Sequence, residues 1–158
     1  MFNVGDKVVY PMHGAGVIEA IEEREVLGER QKYFIMRIPL GEMKVMVPTK
    51  TAENVGLRGV ISSQEVKRVF DVLRGEKTAM SQNWNKRYRA NLEKIKSGDV
   101  YAVAEVVRNL SKRNKEKGLS TGERRMLESA RHILTSEIVL ATGKDEEEVT
   151  RTIDAILG

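Results

Sequence analysis

Residues 43–73 read MKVMVPTKTAENVGLRGVISSQEVKRVFDVL, and the spacing of their apolar side chains changes partway through. Met43 to Val47 alternates with the period of two of a strand and stops at Pro48. After a connector from Thr51 to Ser63, Val66, Val69, Phe70 and Leu73 recur at i, i+3, i+4 and i+7, the apolar stripe of a helix. The chain therefore passes from β to α near residue 55. This predicts an α+β protein of two modules, residues 1–55 and residues 56–158.

Toward the N terminus the β pattern continues. Tyr33 to Ile38 is rich in β-formers and puts Phe34, Met36 and Ile38 on one face. Gly28-Glu29 marks a hairpin turn before it, and Val17 to Val26 reads as a longer, highly charged strand. Pro11 to Gly16 is predicted to be a turn, preceded by a short strand over Lys7 to Tyr10. Short strands joined by tight turns in so few residues predict a small SH3-like or Tudor-like barrel. A module of this kind has a thin core and often uses an exposed strand edge to bind a partner.

Toward the C terminus the helical period persists. Ser63 is predicted to cap a first helix that Gly75 breaks, and Ser81 a second that runs to about Lys96. Asp99 caps a third, with Val100, Val103, Ala104, Val107 and Leu110 facing inward. Ser120 to Glu123 fits a capping box and opens a fourth helix, with Met126, Leu127, Ala130, Ile133, Leu134 and Ile138 inward and Gly143 at its end. The acidic run Asp145 to Glu148 suits the positive end of a last helix carrying Val149, Ile153, Ile156 and Leu157. The expectation is an all-α bundle of about five helices.

The 158 residues are 41% hydrophobic and 32% charged, with no cysteine, which excludes disulfides, thiol nucleophiles and cysteine-ligated metals. No stretch approaches the roughly 18 apolar residues that span a bilayer. The first residues show no basic segment followed by an apolar one, so the expected compartment is the cytoplasm, with no membrane partner. His13 and His132 fall in different modules, and no nucleophile–base order, clustered metal ligands or phosphate loop accompanies them. We expect no catalytic residue, metal, cofactor or small-molecule ligand. Net charge is +4, unevenly spread: residues 84–117 hold ten basic and four acidic residues, so that segment is +6 and the remainder −2. Concentrated positive charge suits a polyanionic partner, although a solvated helical face gives the same count.

Trp84 is the only tryptophan. It lies in Ser81-Gln82-Asn83-Trp84-Asn85-Lys86-Arg87-Tyr88-Arg89, with polar neighbours and three cations close behind. On a helix it shares a stripe with Tyr88, Leu92 and Ile95, so spacing alone also permits a ring packed in the bundle. The alternative is a ring exposed at a helix tip, where it can enter a base step while the cations hold phosphate.

Val4 to Gly14, with its run Gly-Asp-Lys-Val-Val-Tyr-Pro-Met-His-Gly, resembles the opening of the CarD/CdnL family of bacterial transcription regulators. Asn83 to Lys94 resembles that family's signature helix, and Ser97 to Asp99, Ala104 to Leu110 and Gly118 to Leu127 match its pattern in order and spacing. The resemblance implies a polymerase-interaction module that binds a lobe of the RNA polymerase β subunit, and a helical module lying on promoter DNA at the upstream edge of the bubble. It implies that Trp84 wedges into the minor groove, that Lys86, Arg87 and Arg89 contact phosphates, and that open complexes live longer without sequence-specific readout. Arg24 falls where the family tends to place a basic polymerase contact, and Met46 where the last strand often carries a second basic residue. Such a protein acts on the nucleoid through polymerase. From the residues alone, an RNA-binding or ribosome-associated module in which Trp84 stacks on an unpaired base remains an alternative.

Overall fold

The computed structural model describes residues 2–158. Five strands come first: β1 (Lys7–Tyr10), β2 (Gly14–Val26), β3 (Glu29–Ile38), β4 (Met43–Pro48) and β5 (Arg58–Gly59). They form one sheet in the order β4-β3-β2-β1-β5, and each neighbouring pair is antiparallel. Phe34, Met36 and Ile38 alternate inward as predicted and bury with Val8, Ile18, Val47, Ala52 and Leu57. The β2–β3 hairpin turns on Leu27 (φ 54°) and Gly28 (φ 82°), the two positive φ values of a type I′ turn.

The predicted turn over Pro11 to Gly16 is shorter than expected. Gly14, Ala15 and Gly16 already pair with Tyr10, Val9 and Val8 as the start of β2. At Gly16 a Cβ would lie 2.3 Å from the carbonyl oxygen of Arg37, so glycine here permits a close backbone approach rather than a turn. The sheet also extends past residue 55, because Arg58 and Gly59 pair with Val9 and Val8. Two residues without apolar alternation leave no periodic signal for β5.

Five helices follow: α1 (Ser63–Arg74), α2 (Trp84–Lys96), α3 (Val100–Glu116), α4 (Thr121–Thr142) and α5 (Glu146–Leu157). Asp99 and Ser120 cap α3 and α4 as predicted, and Asp145, expected only as part of an acidic run opening the last helix, is the cap of α5. Two caps differ. Ser62, not Ser63, caps α1, in a reciprocal box with Glu65. Asn83, not Ser81, caps α2: its side chain accepts from Lys86 N at 3.0 Å. The Arg87 guanidinium bonds the carbonyls of Ser81 and Gln82 at 3.1 and 3.3 Å, which holds those residues outside the helix. The bundle core joins Val66, Val69 and Leu73 of α1 to the apolar faces of α3, α4 and α5. Each fully buried Leu, Ile or Val there is worth about 1.5–3 kcal/mol over exposure.

The sheet docks on α4. Ala15 N donates to Ser136 Oγ at 2.9 Å, and Lys7 Nζ to the Leu140 carbonyl at 3.1 Å. The carboxylate of Glu137, 1% exposed, accepts both Arg58 terminal nitrogens at 2.7 and 2.8 Å and the backbone N–H of Ile61 at 3.0 Å. Arg58 Nε completes the clamp on the Gly98 carbonyl at 2.7 Å. A buried carboxylate with this many donors is fully satisfied, and its geometry fixes one module against the other.

Candidate nucleic-acid interface

Trp84 is the first residue of α2 and is 41% exposed. Both sequence readings of it hold in part. One face stacks on Tyr88, with centroids 5.0 Å apart and planes 19° from parallel. Its Nε1–H donates to Ser120 Oγ at 2.9 Å. Gly122, in the first turn of α4, abuts both rings: a Cβ there would sit 3.5 Å from Trp84 and 3.8 Å from Tyr88. The remaining surface of the indole faces solvent at the helix tip.

The three cations behind Trp84 do not share one fate. Lys86 and Arg89 are exposed and, among the described residues, form no ion pair. Arg87 turns inward and is 4% exposed. Its Nε and Nη2 bind the two oxygens of Glu123 at 2.8 and 3.2 Å, and its Nη1 binds the carbonyls that precede α2. The expectation of a phosphate contact at Arg87 is therefore corrected: every nitrogen of that side chain is engaged inside the protein. Hydrogen bonding to Arg87, with smaller contributions from its charge and from Ser120, holds the Glu123 carboxyl below the usual carboxylate range, against the opposing effect of burial. The same bond raises the Arg87 guanidinium.

The charge count of residues 84–117 likewise overstates the cationic surface. Lys94 pairs with Glu105, Lys112 donates to the Gly75 carbonyl, and Arg108 is buried with bonds to Val72 O and Asn109. Positive charge here largely closes the ends and seams of the bundle. In compensation, α2 differs from α1, α4 and α5 in having no acidic residue in its first turn, so its positive end is left uncompensated beside Trp84. Arg125, exposed on α4, lines a groove with Tyr88, Leu92 and Met126 and adds a cation that a count along residues 84–117 misses.

On the sheet, Arg24 is exposed and ion-paired with Glu22 at 2.6 Å. Met46 is 40% exposed on β4, which is an edge strand. The register places Met46 opposite Ile35 and Arg24 opposite Gln31, two β3 residues of the same parity, so both project on the face away from the core. Among the described residues, no group of three His, Cys, Asp or Glu is placed to hold a metal ion, and no helix is long and apolar enough to cross a membrane.

Comparison with known sequences agrees with this two-part build. Residues 2–61 match the "CarD-like/TRCF RID domain" family and residues 68–154 the "CarD, C-terminal domain" family. The chain belongs to the CarD family. A relative from Bacillus subtilis (strain 168), named "Putative transcription factor YdeB", is 40% identical over 149 residues, covering 94% of this chain and 97% of its own length. For this CarD-family chain the two matched regions leave residues 62–67 between them, which is the capped start of α1.

Sequence reading put Tyr88 on the stripe of Trp84, where the two rings stack, but did not find Ser120 or Glu123 as parts of the site. The capping box at Ser120 to Glu123 is a local signal for a helix start. That the same hydroxyl and carboxylate also hold α2 depends on packing across 36 residues of chain.

Proposed function

We propose that this chain regulates transcription by holding RNA polymerase through its sheet and placing Trp84 in the minor groove of promoter DNA. The target is the upstream edge of the bubble, and the outcome is a longer-lived open complex. The observation that carries the reading is a half-exposed indole at the N-terminal tip of α2, on a helix whose first two turns also carry the free cations of Lys86 and Arg89. Lys86 and Arg89 contact phosphates, and Arg125 extends that surface. Arg87 braces the tip from inside.

The indole N–H already bonds Ser120, so the ring offers no donor for reading a base edge. A wedge of this kind senses how easily a step unstacks, not its identity. Unstacking costs a few kcal/mol, and the cost is lowest where the duplex is already distorted. Two or three phosphate contacts give a salt slope of roughly −2 to −3, too small for tight binding to DNA alone. Affinity then has to come from a protein partner. The free edge of β4 and the face bearing Arg24 and Met46 are the proposed seat for the polymerase β subunit. The family's "TRCF RID" description and the transcription-factor name of the Bacillus relative support that assignment. The mechanism calls for no catalytic group and no cofactor.

The test measures open-complex lifetime on a linear promoter with polymerase holoenzyme. Trp84→Ala is expected to leave folding and polymerase binding unchanged and to shorten the lifetime. An unaltered lifetime at saturating protein would refute the wedge.

A further inference from the structure

We infer that Ser120 is a positioning residue for Trp84, holding the indole in one orientation before DNA arrives. The inference rests on the wedge reading above and adds a second residue to it. Ser120 Oγ accepts from the indole Nε1 at 2.9 Å and from its capping partner, Glu123 N, at 3.2 Å, and donates to Glu123 Oε1 at 3.3 Å. Glu123 is itself locked to Arg87, whose third nitrogen grips the chain just before α2. The hydroxyl is thus a fixed point, set by the start of α4 and by a buried ion pair.

A tryptophan side chain has two torsions to restrain. Stacking on Tyr88 restrains the tilt of the ring but allows it to slide and rotate in its own plane. The Nε1–H···Oγ bond lies at the ring's edge and removes that in-plane freedom. The first turn of α4 packs beside both rings at Gly122, where even a Cβ would sit at ordinary contact distance, 3.5 Å from Trp84 and 3.8 Å from Tyr88. A ring already held in place gives up little rotamer freedom on insertion, whereas a loose one must be ordered at that moment.

Trp84 is the only tryptophan, so its fluorescence reports the ring directly in the full chain. Ser120→Gly removes the acceptor while keeping a residue that caps helices nearly as well. Ser120→Thr keeps both acceptor and cap. Relative to wild type, Ser120→Gly is expected to lower the anisotropy of Trp84 and raise its quenching by acrylamide, with little change in Tm. Its open complexes are expected to decay about 2- to 10-fold faster, the range for ordering one side chain. Ser120→Thr is expected to restore both readouts.

Unchanged anisotropy and quenching in Ser120→Gly would overturn the assignment of Ser120. A loosened ring with an unchanged lifetime would overturn its functional part, and the wedge reading would still stand if Trp84→Ala shortens the lifetime. Failure of Trp84→Ala itself would instead remove the wedge reading, and the functional part of the inference with it.

Discussion

Arg87 and its two cationic neighbours separate by what each side chain touches. Arg87→Met leaves the Glu123 carboxylate buried at 2% exposure without its partner, and is expected to cost about 3–5 kcal/mol in urea unfolding. Arg87→Lys should rescue little, since one ammonium cannot reproduce the paired bonds to both carboxylate oxygens. Lys86→Ala and Arg89→Ala touch no buried group and are expected to stay within about 0.5 kcal/mol of wild type. Each should instead flatten the salt dependence of promoter-complex stability by about one contact. The Glu123 carboxyl lies below its ordinary value, so its contribution is complete above the usual carboxylate range and disappears as pH falls through its folded-state value. Acid titration of Tm is expected to show a loss there that is shallower in Glu123→Gln, a variant already weaker at neutral pH.

At the scale of elements, caps and close approaches decide where helices and strands begin. Asn83→Ala removes the acceptor for Lys86 N and is expected to cost about 1 kcal/mol, with Asn83→Asp near wild type in thermal unfolding. Gly16→Ala would put a methyl group 2.3 Å from the Arg37 carbonyl oxygen, a backbone atom that cannot step aside. A loss on the order of 1–3 kcal/mol is expected, read by urea unfolding. These two elements also show why sequence reading succeeded unevenly. The starts of α3 and α4 were legible to the residue and that of α5 to within one, because a cap and an apolar period are local features. The start of α2 was misplaced by two residues because the guanidinium of Arg87, tied to Glu123 in α4, pulls Ser81 and Gln82 out of register.

At the scale of the whole molecule, the Arg58–Glu137 clamp sets the sheet against the bundle. Under the proposed function it also sets the distance from the polymerase seat to Trp84. Glu137→Ala strands Arg58 and the Ile61 N–H, and is expected to lower Tm by several degrees. Where the chain still folds, polymerase affinity should be kept and open-complex lifetime shortened, as the tip is no longer held in place. A pull-down with the β subunit, run beside the lifetime assay, separates the two effects.

What the sequence determined alone was the order of regimes, the five helices and their inward faces, since each follows from spacing and caps within a few residues. The tertiary structure decided which side of Trp84 is covered, which of its neighbouring cations stays in solvent, and where the sheet ends. Those outcomes depend on Ser120, Glu123 and Glu137 of the region around α4 meeting α2 and β5 through space. A charge looks the same along the chain whether it will face water or a buried carboxylate, and only packing tells the two apart.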